Sequence, residues 1–170
     1  KNTSKNPRST VATVTEIYDY MRVLYARAGI PYSPFTGLPI TSQTISQIVD
    51  KIKTLPKKST IYLYAPVVRG RKGEYRKDIL GYKKRGFRKI KIDNKLYEID
   101  DVPELNKKLK HDISVLVDRI VLNSSLGNRL AESVETAVNL SNGLVFVEYE
   151  DETLPQKFRK IEKLIYSTKF

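Results

Sequence analysis

Hydrophobic positions along the chain switch between a three-to-four-residue spacing and strict alternation, the periods of helices and strands. Thr13 and Glu16 form a T-x-x-E capping box, and Ile17, Tyr20, Met21, Leu24 and Ala28 follow at helical spacing until Gly29 and Pro31 stop them. Residues 31–39, PYSPFTGLP, hold three prolines and a glycine and predict a turn-rich connection, so a domain boundary falls near residue 40. A second helix is predicted over about 42–54, where Ile45, Ile48, Val49 and Ile52 make one apolar stripe that Pro56 ends.

The period then changes. Ile61 and Leu63 alternate with Tyr62 and Tyr64, which predicts a strand over 59–68. The segment RGRKGE reads as a glycine-punctuated basic loop, and a helix over about 74–84 should follow and end at Gly86. FRKIKI (87–92) and KLYEI (95–99) read as short strands joined by a turn at Asp93-Asn94, and the charged residues 100–110 as loop. ISVLVDRIVL (113–122) is rich in β-branched residues and apolar on both sides, the signature of a central strand. Asn123, Ser124 or Ser125 can cap the next helix, whose buried stripe is Leu130, Val134, Ala137 and Val138 and whose end is Asn142-Gly143. LVFVEY (144–149) is the last clear strand, and KFRKIEKLIYSTKF stays unassigned. The class is α+β: a small mixed or antiparallel sheet packed with helices, with further helical and irregular pieces at both ends.

Composition narrows the function. There is no cysteine in the 170 residues, which removes disulfides and thiolate zinc sites and allows a cytoplasmic location. No apolar run approaches the ~20 residues of a membrane helix, and the polar start KNTSKNPRST does not read as a signal peptide. The net charge is +12, and twelve basic residues fall between Arg69 and Lys95, opposed only by Glu74, Asp78 and Asp93. A concentration of one sign suits a polyanion or an acidic protein partner; the plainer alternative is a solvated basic face.

Catalytic chemistry is not visible. The nearest glycine pair, Gly70-Arg71-Lys72-Gly73-Glu74, has neither the length nor the Lys-Ser/Thr ending of a phosphate-binding loop. The single histidine, His111, reads as an ordinary loop residue. Asp100, Asp101 and Glu104, and then Glu148, Glu150, Asp151 and Glu152, read as solvated acidic rims rather than metal sites. No catalytic or metal-ligating residue is assigned.

Several longer stretches are specific. NPRSTVATVTEIYDYMRVLYARAG (6–29), LYAPVVRGRKGEYRK (63–77), GFRKIKID (86–93), KKLKHDISVLVDRI (107–120) and RLAESVETAVNLSNG (129–143) follow in an order and spacing that resembles the UvrA family of bacterial excinuclease subunits, and STKF (167–170) resembles the residues before that family's zinc-binding cysteines. The resemblance spans nearly the whole chain. It implies a fragment: residues 1–40 as part of the first ABC signature domain, 41–150 as the UvrB-binding domain, and 151–170 as the return into the signature domain. The parent would be a dimeric, ABC-type ATPase that senses distorted DNA and loads UvrB, using ATP, magnesium and zinc. The fragment would carry no Walker A, Walker B or signature element, need no cofactor of its own, and be able to stand as a monomer. One departure is visible. Many members carry C-P-x-C-G where this chain has Ser33-Pro34-Phe35-Thr36-Gly37, and hydroxyls do not replace thiolates on structural zinc.

The resemblance also implies docking residues. UvrB-binding positions fall at Lys89 and Arg119, with Arg88, Lys91, Arg69 and Arg71 as supporting cations. Lysine at 89 keeps the charge of the family's arginine but not its planar fork. On a straight strand Arg119 shares a face with Val115, Val117 and Val121, where it would snorkel or form an internal salt bridge. The rival reading is direct contact with DNA phosphates by Lys1, Lys5 and Arg8 together with the 69–95 stretch. The eleven tyrosines, among them Tyr18, Tyr62 and Tyr64, are expected to pack rather than to stack on bases.

Overall fold

The computed structural model describes Gly29 and residues 31–169. The expected helix that opens at Thr13, and the cations Lys1, Lys5 and Arg8, lie outside the described residues. From Tyr32 onward the chain forms one compact unit.

Helix α1 spans Ile45–Lys53 and starts on a full capping box. The Gln47 amide donates to Thr44 Oγ1 at 3.1 Å, and the Thr44 amide donates to Gln47 Oε1 at 2.9 Å. Its stripe of Ile48, Val49 and Ile52 is buried. Strand β1 follows over Thr60–Lys72, then α2 (Arg76–Lys84), β2 (Lys89–Ile92) and β3 (Lys95–Glu98). Asp93 and Asn94 both take positive φ (49° and 68°), which makes the β2–β3 connection a two-residue turn whose twist suits a hairpin. Strand β4 is Lys110–Val121, α3 is Arg129–Leu140, β5 is Leu144–Glu150 and β6 is Ile161–Ser167. Helix α3 closes through Asn142 at φ 59°, with the Gly143 amide donating to the Val138 carbonyl at 2.7 Å.

The six strands form one antiparallel sheet in the order β3-β2-β4-β1-β5-β6, so the fold is α+β. Ile61↔Ile120, Ala65↔Val115 and Leu63↔Val147 pair across neighbouring strands and point the same way. Against them α1 and α3 bury Ile48, Ile52, Leu130 and Val134, and α2 adds Ile79 over Ile90, Ile113 and Val115. Each fully buried aliphatic side chain contributes about 1.5–3 kcal/mol to folding before entropy is counted. The described helices therefore share one face of the sheet and leave the other, open face without a described helix, although Tyr64 in its middle is only 3% exposed. None of them is long and apolar enough to cross a membrane.

Several sequence expectations change. Arg69–Lys72 is not loop but the end of β1, because β4 continues beside it with Arg71↔His111 and Lys72↔Lys110. Gly70, at φ 59°, takes up the irregularity there and donates its amide to Asp112 Oδ1 at 2.7 Å. Pro66 is tolerated in a central strand because the β5 pairing stops at Tyr64↔Phe146, which frees that side of the backbone. Asn123 does not cap α3; its side chain instead accepts from the Ser125 amide and hydroxyl, and the helix begins six residues later, at Arg129 behind Asn128. Residues 161–167, unassigned by periodicity, pair with β5 along its whole length. His111 is buried within β4, where its Nδ1 lies 2.7 Å from Asp93 Oδ2 and its Nε2 lies 2.8 Å from the Asn106 carbonyl.

Candidate functional site

The open face of the sheet is organised in rows that the strand register defines. One row runs Arg119–Tyr62–Glu148–Lys163 across β4, β1, β5 and β6. The next runs Leu116–Tyr64–Phe146–Ile165 along the same strands. On β2, Ile90 and Ile92 face the helices, so Lys89 and Lys91 face the open side. The structure thus brings Lys89 and Arg119 to the same face, on adjacent strands.

A bulge determines where Arg119 points. Leu63 pairs with Asp118 and Tyr64 with Leu116, which leaves Val117 as the extra residue of β4. The extra residue reverses the alternation, so Val115 faces the helices while Arg119 faces outward, contrary to the straight-strand expectation. Arg119 is exposed, its Cζ stands 5.9 Å from the Tyr62 ring centroid, and its Nε donates to the Tyr62 hydroxyl at 3.4 Å. It meets no carboxylate within 4 Å among the described residues. The internal salt bridge falls instead to Asp118 on the helix side. There Arg129 of α3 donates to both carboxylate oxygens at 2.8 and 3.1 Å, and the Ser133 hydroxyl donates at 2.7 Å. Burial opposes ionisation of Asp118, but these donors and the Arg129 charge outweigh it and hold the carboxyl below its ordinary range.

The supporting cations divide. Lys91 reaches over the Tyr64 ring, 4.7 Å from its centroid, to donate to Glu148, and the two side chains are only 18% and 13% exposed. Lys91 is therefore committed inside the protein. Lys163 approaches the same carboxylate at 3.9 Å. Burial, with the Glu148 charge second, pushes the Tyr64 phenol well above its ordinary range, so it stays neutral. Lys89 makes only an exposed 3.6 Å contact with Glu98, which leaves its charge available. Arg88 is exposed just before β2. Arg69 borders two hollows: the cavity beside Tyr64 and Lys91, and a second one that it shares with Arg71, Leu140 and Asn142 towards the end of the sheet away from Arg119.

Tyr62, Tyr64, Phe146 and Glu148 are parts of this face that sequence reasoning did not assign to a site; Glu148 is not the solvated rim residue expected but is 13% exposed and paired with Lys91. The Tyr62/Tyr64 alternation carried the signal for two of them, but the Lys91–Glu148 pair joins residues 57 apart and leaves no local trace. Phe35 also contributes, standing edge-on to Phe146 at 5.5 Å. The turn that carries it is stitched by hydroxyls: Ser33 Oγ accepts from the Phe35 and Thr36 amides at 3.2 and 3.3 Å, and the Gly37 amide donates to the Ser33 carbonyl at 2.8 Å. The acidic residues near α2 are tied to its cations, Asp100 to Lys83 and Glu104 to Arg76. Among the described residues no three His, Asp or Glu side chains converge as a metal site.

Comparison with known proteins identifies the relatives of this chain. The family model described as the UvrA interaction domain matches residues 43–151. The whole chain is 55% identical over 174 residues to the UvrABC system protein A of Rickettsia typhi, covering 18% of that protein. It is 54% identical over 181 residues to the protein of that name from Mesorhizobium japonicum, covering 19% of it. For Brucella abortus biovar 1 the figures are 59% over 155 residues, 91% of this chain and 16% of the relative. The chain spans less than a fifth of the length of these curated relatives.

Proposed function

The chain belongs to the UvrA family, and on that premise we propose that it is the part of an excision-repair UvrA protein that docks UvrB, through the open face of its sheet. The observation that carries the proposal is Arg119: an exposed guanidinium on the sheet face opposite the described helices, without a carboxylate partner among the described residues and braced by Tyr62. Lys89 lies on the same face with a weakly held charge, Arg69 lines the cavity there, and Arg88 is exposed one residue before β2.

Such a face works by steering and then by registration. The basic excess raises the encounter rate with an acidic surface, and a few charge-assisted bonds fix the orientation. The planar fork of Arg119 suits a carboxylate that it can grip with two parallel bonds. Tyr62 beside it supports the guanidinium through its ring and its hydroxyl. Nucleotide hydrolysis, damage sensing and dimer formation are assigned to the remainder of the parent protein, and no catalytic step is assigned to this chain. The 33–37 turn is proposed to hold no zinc. Its two candidate ligands are hydroxyls, and Ser33 Oγ already accepts two amides.

The test is calorimetric titration of the 170-residue chain with UvrB and, separately, with a short duplex DNA, each at low and moderate salt. One-to-one UvrB binding that persists at moderate salt, with DNA binding that salt erases, is expected. Strong DNA binding with a log–log salt slope of about −0.9 per phosphate contacted, and no response to UvrB, assigns the basic face to the duplex instead.

A further inference from the structure

The open face is not flat. Beside Tyr64 it holds a cavity of about 320 Å³. Its walls are the rings of Phe35, Tyr64 and Phe146 and the edge of Pro66. The cavity lies at the small end of ligand pockets, yet exceeds the roughly 150 Å³ apolar cavity that accepts benzene. It can therefore take one aromatic or large aliphatic side chain.

The charges around it are unequal in availability. Of the two acids on the lining, Glu148 is committed to Lys91 and Lys163, while exposed Asp112 accepts the Gly70 amide and keeps its charge, so three lining cations outnumber two carboxylates. Two of the cations are less committed. Lys163 has only the long 3.9 Å contact with Glu148 and stands 5.8 Å from the Phe35 ring centroid. Arg69, exposed at the mouth, meets no carboxylate within 4 Å among the described residues. What remains unsatisfied is thus an apolar seat under a positive rim.

We infer that this cavity seats an aromatic or aliphatic anchor residue from an acidic segment of the docked protein, with Arg69 and Lys163 taking the neighbouring carboxylates. The inference rests on the docking reading and adds a second contact area to it, across the face from Arg119. Charge complementarity selects the acidic segment. The aromatic walls select its apolar anchor, which offers the large desolvated contact typical of interface hot spots. The geometry also explains why Lys91 is tied down: its neutralised head supports the Tyr64 side of the seat instead of adding an unpaired buried charge.

The experiment is UvrB titration of the unaltered chain and of Ser114→Phe, Phe35→Asp, Arg119→Ala and Lys84→Glu. Ser114 is half-buried on the cavity wall, and phenylalanine there fills the seat. Phe35 is 44% exposed on a turn, and aspartate there puts a negative charge against the acidic segment without removing a core residue. Each of these two is expected to weaken binding at least tenfold. Lys84→Glu, an exposed change on α2, should leave binding within twofold. If Ser114→Phe and Phe35→Asp keep the unaltered melting temperature and bind within twofold while Arg119→Ala loses binding, the cavity is not an anchor seat and the docking reading stands. If Ser114→Phe does not fold, Phe35→Asp decides alone. If the unaltered chain does not bind UvrB, both readings fall.

Discussion

His111 makes the stability of this protein pH-dependent in a predictable direction. Its two ring nitrogens lie 2.7 Å from the Asp93 carboxylate and 2.8 Å from the Asn106 carbonyl, both acceptors. Only the imidazolium has two N–H donors, so the folded state favours the charged form. The bond to Asp93 raises the histidine pKa most, the Asn106 carbonyl adds to it, burial opposes, and the charges of Asp93 and Asp112 help. Because the folded pKa stands above the unfolded value, the contribution is complete below about pH 6.5 and is lost as pH rises through the folded value. Asp93 mirrors this. Burial works against its ionisation, the His111 and Asp112 bonds outweigh burial, and its contribution is lost as pH falls through its depressed value. A hydrogen bond to a charged group contributes about 1.5–3 kcal/mol. The Asp93 side chain stays 47% exposed, so water screens the pair and about 1 kcal/mol is the expected size. For a chain of this length that is about 3 °C in melting temperature. The assay is thermal unfolding between pH 5.5 and 8.5, paired with the ring-proton shifts of the single histidine. Stability should fall over that interval, and His111→Gln should flatten the fall. An imidazole that titrates at or below about 6.5, or equal pH profiles for the two proteins, would refute the clamp.

Three further outcomes follow from named contacts. Asp118→Ala removes the acceptor of Arg129 and Ser133 and loosens α3 from the β4 bulge; it should cost about 1–2 kcal/mol in urea unfolding. Asn94→Val puts a β-branched residue at φ 68° and should cost about 1–2 kcal/mol, whereas Asn94→Gly should be close to neutral in the same assay. Glu148→Ala leaves Lys91 and Lys163 facing each other without their carboxylate and should cost about 2 kcal/mol, and Lys91→Met in the same chain should recover part of the loss.

Much of the fold was legible in the sequence because its signals are local. The stripe of α1, the Asp93-Asn94 turn, the β-branched run of β4 and the Asn142-Gly143 stop each lie within one element. What stayed hidden depends on distant partners. Strand β6 mixes Ile161, Lys163 and Ile165 on one side with Glu162, Leu164 and Tyr166 on the other, so neither face reads as apolar, and only β5 explains it. The basic stretch after Val68 resembled a loop because glycine and charge usually mark one; β4 overrides that preference. The bulge at Val117 has no glycine to announce it, yet it alone turns Arg119 to the open face and Asp118 to α3. His111 looked like loop because charged residues surround it, and its burial depends on Asp93, eighteen positions away. For the docking positions, Lys89 and Arg119 came from the family resemblance, while their placement on one open face came from the sheet.

The most direct test of the docking account is the affinity of Arg119→Ala for UvrB, measured by calorimetry at moderate salt beside the unaltered chain. The guanidinium is exposed and holds no internal carboxylate among the described residues, so the variant should fold with an unchanged melting temperature. Its affinity should fall by about thirtyfold or more, the equivalent of about 2 kcal/mol. A folded variant that binds UvrB as tightly as the unaltered chain would contradict the assignment of this face as the docking surface.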